Sequence, residues 1–172
     1  MQRNELAYLS GGRRRVALAA LAPMLIDGRL KLTHNGRLYA VTGATADDPL
    51  QEAALAQRST LMEALDALAA HEVVVAVEAD LLARRLAARR WPWSAPRPTA
   101  EGRALLEERT KERQPATIRI ALDGVRGMSD DRLRRQFAGP SKEKGSLRGQ
   151  GTGGWSSPDA AGGDFGGGGG SF

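Results

Sequence analysis

The chain has 172 residues, no cysteine, two histidines and a net charge of +5. The lack of thiols excludes disulfides, thiol nucleophiles and thiolate metal sites together, and nothing requires an oxidising compartment. No run approaches the roughly 18 consecutive apolar residues of a membrane span, and the first residues lack a charged-then-apolar signal pattern, so the expectation is a soluble, cytoplasmic protein.

Along the chain, Asn4 is read as the N-cap of a short helix through Leu9, and Gly11-Gly12 separates it from a second helix, Arg13 to Asp27. That second segment carries Val16, Ala17, Leu21, Met24 and Leu25 at helical spacing, and Gly28 closes it. Pro23 is its flaw: an interior proline costs about 3 kcal/mol, so a kink or an early, tighter end is expected there unless packing compensates. Leu30 and Leu32 then alternate with Arg29 and Lys31, and Asn35-Gly36 signals a hairpin with a two-residue type I′ turn. That loop length pairs Leu32 with Tyr39 and Leu30 with Val41.

Asp48-Pro49 places a carboxylate at an N-cap and proline at the first helical position, so a third helix runs through Leu50, Ala54 and Leu55. Thr60 with Glu63 forms a capping box, followed by Leu61, Leu65 and Leu68 on one face. Residues 73–77 have the β-branched content of a strand, yet Val77, Leu81 and the Leu82/Leu86 pair keep a helical period, and a helix from Val75 to Arg90 is expected. Trp91 to Pro98, with three prolines in seven residues, is held extended. Thr99 caps a helix from Ala100 to about Arg113, Ala116 to Leu122 fits either period, and Ser129 with Asp130-Asp131 starts a last helix carrying Leu133 and Phe137.

From Ser141 glycine dominates, with five in a row at 166–170, and the segment is expected to be disordered. The fold class is therefore mainly α. It is a winged-helix-like helical domain over 1–140 with a small hairpin, followed by a glycine-rich tail over 141–172. The string Thr99-Ala-Glu-Gly102-Arg103 echoes Thr33-His-Asn-Gly36-Arg37. That echo is either a degenerate repeat of 1–45 in 75–113 or a chance match of five residues.

The strings ELAYLSGGRRRVALAALAPMLIDGRLKL, DDPLQEAALAQ and EADLLARRLAARR give the stretch from Glu5 to Arg90 a resemblance. It resembles an uncharacterised actinobacterial domain family with a Gly-Gly motif, found mostly in membrane proteins with a glycine-rich C-terminal tail. This chain keeps the tail but has the charged segment Trp91 to Arg113 where spans would follow. The resemblance implies a fold and carries neither an activity nor site residues.

A search for chemistry finds little. His34 sits beside a turn and His71 at a helix end, without partners at ligand spacing, so no metal is expected. No serine lies in a Gly-x-Ser-x-Gly elbow, no cofactor motif occurs, and an enzyme is not expected. Gly11-Gly12 before Arg13, Arg14 and Arg15 could cradle a phosphate, but it lacks the Gly-x-x-x-x-Gly-Lys pattern and reads better as a tight interhelical turn. Residues 1–40 and 84–113 are basic, while 41–83 carry eight acids against Arg58.

The candidate interaction surface is Arg13, Arg14, Arg15, Lys31, Arg37, Trp91 and Trp93. The two tryptophans suit a stacking platform, a partner's anchor or a strap pinned on the core. The favoured function is a non-catalytic protein-interaction module. The alternative is a DNA-binding regulator with a basic wing, against which the Arg13 to Asp27 helix offers no Asn, Gln, Ser or Thr to read base edges.

Overall fold

The structure, a computed structural model, describes residues 2–112 and 114–138. The glycine-rich segment 141–172 lies outside the described residues. Among those described, the chain is mainly helical. Its order is α1 (Arg3–Ile26), β1 (Leu30–Leu32), β2 (Leu38–Ala40), α2 (Pro49–Leu55), α3 (Leu61–Ala69), α4 (Glu72–Ala83), β3 (Ala87–Ala88), β4 (Arg97–Pro98), α5 (Ala100–Lys111), α6 (Ala116–Asp123) and α7 (Asp131–Ala138). A 3-10 turn, Gly124–Gly127, joins the last two helices.

The core is built around α1, which packs against α2, α3, α4, α5 and α6. Every residue from Val16 to Met24 is buried, so this stretch is enclosed on all sides rather than amphipathic. Each fully buried leucine or methionine there contributes about 1.5–3 kcal/mol. The helix departs from helical dihedrals only at Gly11 and Gly12, and Gly12, at φ +70° and ψ −163°, adopts a conformation that favours glycine. Pro23 does not end the helix, which runs on through Met24, Leu25 and Ile26. Its buried ring supplies the compensating packing. Helix α1 also starts earlier than expected: Gln2, not Asn4, is the N-cap, and its amide donates to Glu5 Oε2 at 2.7 Å.

The first hairpin corrects the expected register. Leu30 faces Ala40, Lys31 faces Tyr39 and Leu32 faces Leu38. The Thr33 amide donates to the Arg37 carbonyl and the Gly36 amide to the Thr33 carbonyl, both at 2.9 Å, which closes a three-residue loop. Gly36 has φ +72° while Asn35 stays at negative φ, so the turn is a type I turn with a glycine bulge and not type I′. The extra loop residue shifts the pairing by one. Leu30, Leu32, Leu38 and Ala40 now share the core face, and Tyr39 turns outward beside Lys31. The free edge of β2 is partly covered, since the Leu38 amide donates to the Ser59 carbonyl at 2.9 Å and Arg37 bridges Thr60.

The caps of α2 and α3 form as expected: Asp48 accepts from the Gln51 amide, and Thr60 and Glu63 close a capping box. Helix α4 does not. It includes Val73 to Val77, which settles that stretch as helix, but it ends at Ala83 rather than Arg90. Arg85 takes φ +57°, its amide donates to Leu82, and the Leu86 amide reaches back to Leu81. This is a Schellman stop with arginine where glycine is usual, sealed by burial of Leu81 and Leu86. Sequence periodicity ran through it because the chain beyond, Leu86-Ala87, is also buried.

A second hairpin follows, in which Ala87 pairs with Pro98 and Ala88 with Arg97. The segment from Trp91 is therefore not uniformly extended: a turn closes between Trp91 and Ser94 before β4 begins. Thr99 caps α5 by accepting from the Gly102 amide at 3.2 Å. Gly102 lies under the second hairpin, where a Cβ would stand 2.2 Å from the Leu86 carbonyl oxygen.

The element order thus recurs. Two helical pieces separated by a short break, a residue at positive φ (Gly28 or Arg85) and an antiparallel hairpin occur at 3–40 and again at 61–98. The strings Thr33–Arg37 and Thr99–Arg103 are not equivalent in this frame, since one is a hairpin loop and the other a helix start.

Candidate functional site

Helix α4 turns Val74, Glu78 and Leu81 inward at i, i+4 and i+7, so a carboxylate is carried into the core with the apolar stripe. A buried carboxylate requires partners, and three converge on it. Tyr8, from the first part of α1, donates its hydroxyl to Glu78 Oε2 at 2.6 Å. Arg13, just beyond the glycine break, donates Nε to the same oxygen at 2.6 Å. Arg89, one residue past β3, donates to Oε1. The glycine break is what sets Tyr8 and Arg13 on the same carboxylate, because it re-aims the second piece of α1.

The Arg13 hydrogen bond, with those from Tyr8 and Arg89, holds the Glu78 carboxyl at about 2 despite its burial. Burial and the adjacent Glu78 push the Tyr8 hydroxyl well above its usual range. Glu78 is therefore ionised throughout the physiological range and is committed as an acceptor, which suits it to a structural tether rather than to a general base.

Above the tether lies a cleft of about 530 Å³ lined by Gly12, Arg13, Arg14, Arg89, Trp93 and Pro96 among others. One carboxylate, Glu78, against the three guanidinium groups of Arg13, Arg14 and Arg89 leaves its lining with net positive charge. Trp93 stacks on Trp91, with centroids 5.7 Å apart and planes within 8°. Trp93 and Trp91 are 82% and 54% exposed, so they do not pin a strap onto the core. A second cleft of about 350 Å³ lies against Trp91, with Arg90, Ser94 and Arg97.

The residues singled out from sequence divide into three places. Arg13, Arg14 and Trp93 line one cleft, with Trp91 stacked behind. Arg15 goes elsewhere: its guanidinium donates to the Leu122 carbonyl at the end of α6, at 3.0 Å. Lys31 and Arg37 lie exposed on the first hairpin with no ion pair among the described residues. Arg14 pairs with Asp66 at 2.9 Å, both well exposed, a contact worth about 1 kcal/mol at most. The three consecutive arginines thus serve α4, α3 and α6 in turn, and none is left to cradle a phosphate by itself.

Sequence reasoning missed Glu78, Tyr8 and Arg89. The available signal was an acid at i+4 from Val74 on the buried side of α4. Among the described residues, no group of His, Asp or Glu is placed to hold a metal ion, and no helix is long and apolar enough to cross a membrane. The chain matches no family model, no curated protein and no solved structure.

Proposed function

We propose that the protein is a non-catalytic, winged-helix-like interaction module with a protein partner, of the actinobacterial domain type its sequence resembles. The observation that carries this reading is the placement of α1. The stretch that a DNA-binding reading would send into a groove is buried from Val16 to Met24. Its arginines are turned to Glu78, Asp66 and Leu122. A helix in the middle of a core cannot read base edges.

The surface best suited to a protein partner is an apolar cleft of about 440 Å³ beside the first hairpin, lined by Leu32, Thr60, Leu61 and Met62. Met62 is 42% exposed there, an adaptable side chain for a partner to cover. We place the protein in the cytoplasm, the compartment expected from its sequence. The regulator alternative keeps one supporting feature, Lys31 and Arg37 on the first hairpin, which have no ion pair among the described residues.

Selection from a random duplex pool near physiological salt tests the choice. Phosphate contacts alone yield no enriched motif, which is the expected outcome, and an enriched motif overturns the reading. A photo-crosslinker at position 62 is expected to give a discrete protein adduct that the same group at exposed Glu107 does not give.

A further inference from the structure

We propose that the second hairpin binds single-stranded nucleic acid, an activity separate from the protein-facing cleft beside the first. Between Asp80 and Glu101 the chain has five arginines and no acid. Two are engaged: Arg84 with Glu5 and Asp80, and Arg89 with Glu78 and the Pro92 carbonyl. Arg85, Arg90 and Arg97 are exposed and have no carboxylate partner among the described residues.

The tryptophans are set among them by local chemistry. The Ser94 amide donates to the Trp91 carbonyl at 3.0 Å, and the Ser94 hydroxyl accepts from the Trp91 amide at 3.0 Å. This closed turn, with Pro92 inside it, holds the two indoles parallel. The rings stack parallel with their centroids 5.7 Å apart, and each lines a different cleft. Trp93 stands with Arg13 and Arg89, and Trp91 with Arg90 and Arg97. The pair is a two-ring wall with an aromatic surface and guanidinium groups on either side. Of the Arg13 nitrogens, only Nε is bonded to an acceptor among the described residues.

A partner that matches this wall has flat π-faces joined by regularly spaced anions. Single strands have that chemistry, with bases stacking on indoles and phosphates meeting arginines. A duplex hides its base faces. An acidic peptide satisfies the guanidinium groups but leaves the rings without planar partners.

The test uses the full chain with labelled dT12 across a salt series. A duplex of equal length, polyglutamate and vesicles of phosphatidylcholine with and without phosphatidylserine serve as competing arms. The expected result is tighter binding of dT12 than of the duplex or polyglutamate. Trp91→Ala and Trp93→Ala should each weaken it about tenfold. Arg90→Gln with Arg97→Gln should reduce the slope of log affinity against log salt by about 1.4. Both pairs are exposed, and unchanged melting temperatures show that the variants fold.

Equal binding of dT12 and polyglutamate overturns the proposal, as does unchanged affinity in both tryptophan variants. Capture by anionic vesicles without binding of dT12 overturns it in favour of a membrane surface. The duplex selection and the position-62 crosslink concern the other hairpin, so either proposal can fail while the other stands.

Discussion

The two hairpins follow the same local order, a helix, a residue at positive φ and an antiparallel turn-back, yet they are held by opposite means. The first puts four aliphatic side chains on the core face and gains a third strand segment from Ser59-Thr60. Its base is fixed by Arg29, which reaches Asp27, Asp47 and the buried Gln51. The second has a two-residue ladder and an eight-residue loop, residues 89–96, with exposed tryptophans at its tip. Little apolar burial holds that loop, and its tether is ionic, Arg89 on Glu78. One sheet is stabilised by what it buries, the other by a charge buried for its benefit.

Removing that charge should separate the two most sharply. Glu78→Ala leaves Tyr8, Arg13 and Arg89 without their acceptor and should cost about 3–5 kcal/mol. Hydrogen exchange should show early loss of protection around Ala87-Ala88, while the Leu38 amide, bonded to Ser59, stays protected. Equal loss at both hairpins would show that they unfold as one unit.

Acid titration should act on the same tether. The folded Glu78 sits at about 2 against an ordinary 4.5, so its contribution is complete above 4.5 and is lost as pH falls towards 2. The linkage amounts to about 3 kcal/mol. Melting temperatures between pH 5 and pH 2 should fall more steeply for the wild type than for Glu78→Gln.

Two glycines compare the hairpins next. Gly102→Ala drives a Cβ into the Leu86 carbonyl and should cost about 2 kcal/mol. Gly36 has open space around it and only its φ of +72° to protect, so Gly36→Val should cost about 1–2 kcal/mol. His34→Val, at an exposed loop position, should change stability by no more than about 0.5 kcal/mol. Thermal melts that rank these three differently would remove the hairpin account. One substitution should be a gain: Arg85→Gly relieves a left-handed arginine and should add about 0.5–1 kcal/mol in denaturant unfolding.

The legible parts of this fold were those decided within a few residues. Asp48-Pro49, Thr60 with Glu63, Thr99, the Asp130 helix start and the Gly11-Gly12 break all appear where local chemistry puts them. The hairpin register was misread because Asn35-Gly36 serves two turn types, and only the closure from Thr33 to Arg37 chooses between them. The end of α4 was hidden because arginine replaced the expected glycine in its stop. The candidate site was half visible. The arginine run and the tryptophans could be singled out, but their sorting among Glu78, Asp66 and Leu122 depends on contacts across dozens of residues.

The reach of Arg15 to the Leu122 carbonyl and of the Ser10 hydroxyl to the Ala121 carbonyl spans 107 and 111 residues of sequence. Helix α6, which makes these contacts, covers the flank of a helix made 107 residues earlier at the Arg15 contact. At about 5–20 residues per second, the ribosome needs about 5–20 s to deliver it. During that interval residues 16–24, all buried at the end, have only part of their enclosure. A nascent chain of this protein therefore carries an incompletely covered apolar segment until α6 emerges to enclose it.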